Sequence, residues 1–289
     1  MAITGRWTGR DDATEIAAAL ASWTGPVWTG QLQPGDIGWQ LRFEAEELNA
    51  TLLLVREHGL AVAVALVDAP GELRVAVDPG RQDDVRLAAG LVDELLAAPR
   101  TTPTSLDGSP VAAWRHRLAE LGWSTGGGSF VAMHRSLRDV GPELPDGVRP
   151  VATEDDIADR VLVQRQAFER STFTVDRWRL MAGSPMYDGN LDLLARDDEG
   201  RPVAAGTAWS AGPGRTGQLE PVGTHRDHQG RGHGRRLVQG LCSALASVGA
   251  SAAAVETPLA NVPAVRAYTR AGFRTVALLT PMHPPSTMD

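Results

Sequence analysis

The strongest constraint on the fold is an alternation of strand-like and helix-like segments. Residues 191–196 and 202–209 are rich in apolar side chains and are separated by the turn-forming sequence DDEG, which predicts a β-hairpin. Residues 235–248 and 261–271 have the apolar spacing of amphipathic helices, with strand-like segments before, between and after them. Strands and helices that alternate in this way predict a mixed α/β domain.

The same plan occurs a second time, in the first half of the chain. Residues 51–68 have the composition of a strand hairpin, and residues 72–96 predict a strand, a turn and an amphipathic helix. When Gln82 is aligned with Gln229, the strand and the helix of one half fall opposite those of the other. We therefore predict an internal duplication.

The length of 289 residues is sufficient for two domains of ordinary size. Residues 138–149 contain prolines and glycines without apolar periodicity, and this composition predicts a linker. The two predicted domains are therefore residues 1–137 and residues 150–289.

Charge and cysteine content narrow the classes of function. A net charge of -7 and a pI of about 5.5 argue against nucleic-acid binding, which usually needs a basic face. Cys242 is the single cysteine, so no internal disulfide can form, and this favours a reducing compartment. No apolar stretch is long enough to span a membrane, and the first residues lack the pattern of a signal peptide. We expect a cytoplasmic monomer or homodimer without nucleic-acid or membrane partners.

A glycine-rich junction links a predicted strand to the helix at residues 235–248. Gly230, Gly232 and Gly234 allow the backbone to approach an anion closely, and the first N–H groups of a helix have no partner within it. Together these features predict a main-chain cradle for phosphate or pyrophosphate. Positive charge around it would come from Arg231, Arg235 and Arg236.

Other interpretations of this junction compete with the phosphate cradle. No Walker sequence is present, and a Rossmann fingerprint would need glycine where Arg235 or Leu237 stands. A glycine-rich turn without any ligand remains an alternative. Three histidines lie near this loop: His225, His228 and His233. Because the segment is already predicted to bind phosphate, we interpret them as solvated loop side chains and expect no metal.

Two motifs resemble those of the GNAT superfamily of N-acetyltransferases. The loop at 229–234 is similar to that family's Gln/Arg-x-x-Gly-x-Gly/Ala loop, and residues 261–273 match its Asn-x-x-Ala-x-x-x-Tyr-x-x-x-Gly-Phe pattern. The resemblance covers roughly residues 148–280. It implies two tandem domains of this kind, each an α/β unit with a mixed, mainly antiparallel central sheet flanked by helices.

The resemblance also implies acetyl-CoA as the cosubstrate. In that family the loop amides hold the pyrophosphate, and the preceding strand hydrogen-bonds the pantetheine arm. The residues implied to bind acetyl-CoA are Val222, Gly223, Thr224, Gln229, Gly230, Arg231, Gly232, His233, Gly234, Arg235, Asn261, Ala264 and Tyr268.

The corresponding loop of the first half lacks these features. Val85 and Leu87 stand at the two glycine positions, and Asp83 and Asp84 would repel a pyrophosphate. The first half is therefore predicted to be a degenerate copy without a cofactor site.

Two residues are candidates for proton transfer. By family position, Tyr268 is the predicted general acid for the leaving thiolate, with a core packing role as the alternative. Glu220 is the predicted general base, directly or through a water, with Glu256 as its competitor. Pro221 lacks an N–H and predicts a bulge beside the amides of residues 222–224, where we expect the oxyanion donor.

The predicted function is transfer of an acetyl group to a primary amine of a small molecule, by direct attack in a ternary complex. The alternatives are a non-catalytic acyl-CoA-binding or regulatory module, and an acyltransferase that uses another acyl-CoA. Candidates for the acceptor pocket, which could equally be core residues, are Phe168, Arg170, Phe173, Trp178, Tyr187 and Trp209.

Overall fold

The computed structural model describes residues 4–27 and 32–285. The elements that begin in the first half are β1 (Thr4–Thr8), α1 (Ala13–Trp23), α2 (Pro34–Gln40), α3 (Ala45–Leu48), β2 (Leu52–Glu57), β3 (Leu60–Ala69), β4 (Glu72–Val77), α4 (Val85–Leu96), β5 (Ser105–Gly108), α5 (Ala113–Glu120), β6 (Ser124–Thr125) and β7 (Phe130–Ser136).

The second half continues the alternation of strands and helices. Its elements are β8 (Val148–Pro150), α6 (Glu154–Ala167), α7 (Val175–Ala182), β9 (Asp192–Arg196), β10 (Pro202–Trp209), β11 (Thr216–Thr224), α8 (His233–Ser247), β12 (Ala252–Pro258), α9 (Val262–Arg270), β13 (Arg274–Leu279) and β14 (Met282–His283). Short 3-10 turns lie at Arg10–Asp12, Pro79–Arg81, Gly189–Leu191 and Arg226–His228.

The strands form two sheets of seven strands each. The front sheet has the order β1-β2-β3-β4-β5-β14-β6, and the back sheet has the order β13-β7-β12-β11-β10-β9-β8. Only the β4–β5 pair of the front sheet and the β11–β12 pair of the back sheet are parallel among the described strands. The predicted mixed, mainly antiparallel sheets flanked by helices are confirmed.

Each sheet contains a strand from the other half of the chain. β7, which precedes the predicted linker, lies between β12 and β13 of the back sheet. β14, near the end of the described chain, lies between β5 and β6 of the front sheet. The two halves are therefore joined through their hydrogen-bonded sheets as well as through residues 138–149.

Apolar helix faces cover both sheets. On one face of the front sheet α4 buries Leu87, Leu91 and Leu95, and on the back sheet α8 buries Leu237 and Leu241. This spacing of three and four residues places the side chains on one side of each helix, where they are removed from water.

We call the first half of the chain the front half and the second half the back half. α2 belongs to the front half and packs against the back sheet. A Cβ atom on Gly35 would lie 2.6 Å from the Trp209 ring, and one on Gly38 would lie 2.4 Å from it. Only glycine fits at these two positions, so the backbone of α2 rests directly on the indole at the end of β10.

Candidate functional site

β11 and β12 separate partway along their length. They pair only where Thr216–Gln218 faces Ala252–Ala254. On the other edge of β11 the register against β10 shifts between Leu219 and Val222, so the interruption predicted at Pro221 is confirmed. Successive N–H groups of a strand point to opposite edges, so at least one amide of residues 222–224 faces the gap that β12 has left.

The glycines before α8 meet different requirements. Gly230 and Gly232 have φ values of +75° and +89°, and a Cβ atom on either would meet no atom within 4 Å. A Cβ atom on Gly234 would lie 2.8 Å from Thr224 Oγ1, so there glycine permits a close approach of helix and strand. Gly232 is the N-cap of α8 and offers no side chain to the first-turn N–H groups, an arrangement that is suited to an external anion.

The cations around this loop divide into two groups. Arg231 and Arg235 are exposed beside the helix start. Arg236 instead donates from Nη2 to the carbonyl oxygen of Arg196, at 2.5 Å, and so is occupied within the fold. The loop therefore offers main-chain amides and two arginines to an anion.

The nearby histidines pack edge to face in a row. Ring centroids are 5.2 Å apart for His225 and His228 and 6.3 Å apart for His228 and His233. Burial lowers the pKa of His233. Within residues 4–27 and 32–285 no three His, Cys, Asp or Glu side chains are grouped so that they could hold a metal ion.

The helix start of the front half is already occupied by its own carboxylate. Asp84, the N-cap of α4, accepts hydrogen bonds from the backbone N atoms of Arg86 and Leu87, at 3.0 and 2.9 Å. These backbone bonds, together with the ion pair to Arg81, lower the pKa of Asp84. The charge that an external phosphate would bring to this helix is thus supplied from within the chain.

A cleft of about 510 Å³ lies between the two halves, at the gap between β11 and β12. Its walls carry charged and polar groups from both halves. Those of the front half are Asp68, Glu72, Arg74, Ser105 and Asp107, and those of the back half are Gln218, Glu220, Glu256, Thr257, Asn261 and Tyr268.

Glu220 and Glu256 face this cleft under similar electrostatic conditions. Burial raises the pKa of both carboxyls, that of Glu256 to about 8. Arg74 partly offsets this effect, and its Nη2 lies 3.4 Å from Glu256 Oε2. Glu220 Oε2 accepts a hydrogen bond from the neutral amide of Gln218 at 2.7 Å. Both glutamates can therefore accept a proton at a pH at which an exposed glutamate would stay ionised.

Tyr268 lines the same cleft from α9. It is 7% exposed and packs on Phe273 with the ring centroids 5.7 Å apart. Burial and the nearby Glu220 carboxylate raise the pKa of Tyr268, so the phenol keeps its proton. Asn261 also lines the cleft, and its Oδ1 accepts from Ala264 N at 3.3 Å as the N-cap of α9.

Most of the aromatic residues proposed for the acceptor pocket belong instead to a buried cluster. Trp178 and Tyr187 both donate to Asp192, whose carboxylate also pairs with the fully buried Arg160 at 2.9 Å. Of the six candidates, Phe168 alone is among the residues that line the cleft. Trp178 and Tyr187 are held in the interior because the buried Arg160–Asp192 ion pair needs hydrogen bonds that replace those lost to water.

Front-half residues that line the cleft or contact its walls were absent from the site predicted from the sequence. Asp36 and Arg74 lie next to Gln218 and Glu256 in the structure although they are far away in sequence. One local signal existed: Gly35 and Gly38 occupy the same face of a short helix, a spacing that indicates a close approach to another element.

No helix among the described residues is long and apolar enough to cross a lipid bilayer.

The sequence matches a known protein family. Residues 159–273 match the profile of the acetyltransferase (GNAT) family. This range includes the glycine loop, the separated strands and Tyr268.

Two curated relatives share the name mycothiol acetyltransferase. The protein from Actinosynnema mirum is 30% identical over 258 residues, which cover 81% of this chain and 83% of that protein. The protein from Clavibacter michiganensis subsp. michiganensis is 29% identical over 242 residues, which cover 77% and 75%.

Solved structures share the two-part fold. A GNAT acetyltransferase from Sphaerobacter thermophilus is similar with a TM-score of 0.58 and 23% identity, over 98% of this chain and 96% of that one. A tandem GNAT protein from the clavulanic acid biosynthesis pathway has a TM-score of 0.57 and 16% identity, over 97% of this chain and 98% of that one.

Proposed function

Because the chain belongs to the acetyltransferase (GNAT) family, we propose that it transfers an acetyl group from acetyl-CoA to the primary amine of a small molecule. The observation that carries this proposal is the gap where β12 leaves β11, which opens into a cleft containing Glu220 and Tyr268, while the glycine loop follows the end of β11. The proposed reaction is a direct attack of the amine within a ternary complex.

The residues around the opening fit acetyl-CoA. The first-turn amides of α8, with Arg231 and Arg235, suit the pyrophosphate because they present unsatisfied donors and positive charge to open space. The free edge of β11 at residues 222–224 suits the pantetheine arm, which carries amides of its own. Acetyl-CoA would supply the activated acetyl thioester. In the front half, Asp84 already occupies the first-turn amides of α4, so we propose that the chain has a single cosubstrate site, in the back half.

Glu220 and Tyr268 divide the proton transfers in this proposal. An alkyl ammonium group has a pKa near 10, so the amine needs a base before it can attack. Burial and Asp36 raise the pKa of Glu220, which makes it a stronger base than an exposed glutamate. The Tyr268 phenol donates a proton to the departing thiolate, and an amide of residues 222–224 donates to the developing oxyanion. Glu256 is the less suitable base because its carboxylate pairs directly with Arg74 at 3.4 Å, whereas Glu220 accepts a hydrogen bond from the neutral amide of Gln218.

The acceptor is proposed to be a small, polar, cationic molecule. The cleft volume of about 510 Å³ lies within the range of ordinary small-molecule sites. The carboxylates on its walls outnumber the single arginine among them, which favours a positively charged guest. The shared name of the curated relatives makes the unacetylated form of mycothiol the first acceptor to test.

Incubation of the protein with acetyl-CoA and this acceptor, followed by mass spectrometry of the products, tests the proposal. Detection of the product avoids thiol reagents, which would also react with a thiol on the acceptor. Acetylation by the wild type, together with a loss of about 10²–10⁴ in kcat/KM for Glu220→Gln, is the expected result. Glu256→Gln is the matched variant, and we expect it to lose less.

The rival function is a binding module without catalysis. Acetyl-CoA binding in calorimetry, with no acetylated product from this acceptor or from a panel of diamines and amino sugars, would favour that rival. A Glu220→Gln variant with a pH–rate profile equal to that of the wild type would move the base role to Glu256 or to water.

A further inference from the structure

We propose that α2 of the front half belongs to the catalytic apparatus, because its Asp36 holds Gln218 and thereby positions the Glu220 carboxylate. This inference rests on the proposed function of Glu220 as the base. It assigns the front half a task in the chemistry of the back half, and Asp36 is a positioning residue that does not itself touch the reacting atoms.

The connection is a continuous series of hydrogen bonds. Gln218 Nε2 donates both to Asp36 Oδ1, at 2.9 Å, and to Glu220 Oε2, at 2.7 Å. Asp36 Oδ1 also accepts from Arg74 Nη1 at 2.5 Å, and Arg74 Nη2 reaches Glu256 at 3.4 Å. The two candidate bases of the back half are therefore linked through two residues of the front half.

The docking of α2 makes this connection rigid. Gly35 would place a Cβ atom 2.4 Å from Gln218 Oε1, and Gly38 would place one 2.4 Å from the Trp209 ring. Trp209 in turn donates from Nε1 to the carbonyl oxygen of Glu220 at 2.5 Å. The helix thus supports the base by two routes, one through the Asp36 carboxyl group and Gln218, and one through its backbone and Trp209.

Asp36 is itself buried and well held. Its side chain is 1% exposed, and its Oδ2 accepts from Gln33 N at 2.6 Å as part of the α2 capping box. A buried carboxylate in this position is costly unless a cation compensates it, and Arg74 provides that compensation. The arrangement places a negative charge and a positive charge at fixed positions beside the base.

These charges act on Glu220 in opposite directions. Asp36 raises the pKa of Glu220, and Arg74 lowers it. Charged and titratable groups from the neighbouring elements interact with this carboxyl; they are Asp36 from α2, Arg42 after α2, Asp68 from β3, Arg74 from β4 and Tyr268 from α9. Glu256 from β12 lines the same cleft.

The test is a titration of the Glu220 carboxyl in the full-length protein. Carbon-13 NMR of glutamate-labelled protein follows the resonance, which the Glu220→Gln variant identifies. We expect Asp36→Asn to move the midpoint down by about one pH unit and Arg74→Met to move it up by a similar amount. The acid limb of the pH profile of kcat/KM should move in the same two directions, while the calorimetric affinity for acetyl-CoA stays unchanged.

Asp84→Asn is the matched control. Asp84 likewise lies at the start of a front-half helix, paired with an arginine and bonded to backbone amides, but its partners are Arg81, Arg86 and Leu87 instead of Gln218. It should leave the Glu220 midpoint where it is. If either Asp36→Asn or Arg74→Met does not fold, the remaining variant tests the inference by itself.

Opposite displacements of the midpoint support the inference. Unmoved midpoints in both variants overturn it, as does a uniform fall of kcat/KM at all pH values, which a purely structural role would produce. The proposed function fails separately, if the wild type forms no acetylated product while the NMR midpoints still move.

Discussion

Replacement of Gly232 by aspartate should strongly weaken acetyl-CoA binding without unfolding the protein. The N-cap of α4 in the front half is an aspartate that satisfies the first-turn amides of its own helix. At Gly232, a Cβ atom meets no neighbour within 4 Å, so an aspartate side chain has room there. Its carboxylate would add a negative charge at the start of α8, where the pyrophosphate is proposed to bind.

The size of the effect follows from the bonds at stake. Two charge-assisted hydrogen bonds from first-turn amides to pyrophosphate contribute about 1.5–3 kcal/mol each, or about 3–6 kcal/mol together. Their loss corresponds to a rise in Kd of about 10²–10⁴. The free energy of unfolding should fall by about 1–2 kcal/mol, because the +89° φ of this position is unfavourable for aspartate.

Isothermal titration calorimetry with acetyl-CoA measures the loss, and thermal unfolding checks the fold. Gly232→Asn is the matched control, since asparagine brings the same backbone strain and a side chain of similar size without the charge. Its Kd should rise by about tenfold or less, because a neutral side chain does not repel the pyrophosphate. An aspartate variant that binds within tenfold of the wild type, or no more weakly than the asparagine variant, would refute the assignment of the pyrophosphate to this helix start.

Three further substitutions probe the site and its support. Tyr268→Phe should lower kcat by about 10²–10⁴ with little change in acetyl-CoA affinity, which stopped-assay mass spectrometry and calorimetry measure; a fully active variant would remove Tyr268 from the mechanism. Glu256 has a pKa raised by burial from 4.5 to about 8, so its favourable effect on stability is complete below pH 4.5 and is lost as the pH rises through 8. As the pH rises across that range, the free energy of unfolding measured with urea should therefore fall less for Glu256→Gln than for the wild type. Equal decreases would contradict the raised pKa. Arg160→Met leaves the buried Asp192 carboxylate without its cation and should lower the free energy of unfolding by about 3–5 kcal/mol in guanidinium titrations; a loss below about 1 kcal/mol would contradict this account.

Local sequence patterns were sufficient for most of the back half. The apolar spacing of α8 and the hairpin of β9 and β10 depend on neighbouring residues alone, and the structure has both close to the predicted bounds. The missing N–H of Pro221 correctly indicated the interruption beside the cleft. Such features are predictable because their physical cause lies within a few residues of chain.

Contacts between the halves were not predictable in the same way. Nothing near Asp36 in sequence specifies that it meets Gln218, since that contact depends on how two sheets pack. The places of β7 and β14 in the opposite sheets were missed for a related reason: an apolar strand pattern identifies a strand but does not identify its partner.

The exchange of β7 and β14 determines when the chain can complete its fold during synthesis. β6 borders the front sheet through β14, and Met282 of β14 is 3% exposed within the front core. The ribosome synthesises β14 only after every strand of the back sheet. Until then, β5 of the front sheet lacks its neighbour and leaves an unpaired edge. A chain truncated before β14 should consequently expose that edge, and unpaired edges are where partly folded chains aggregate.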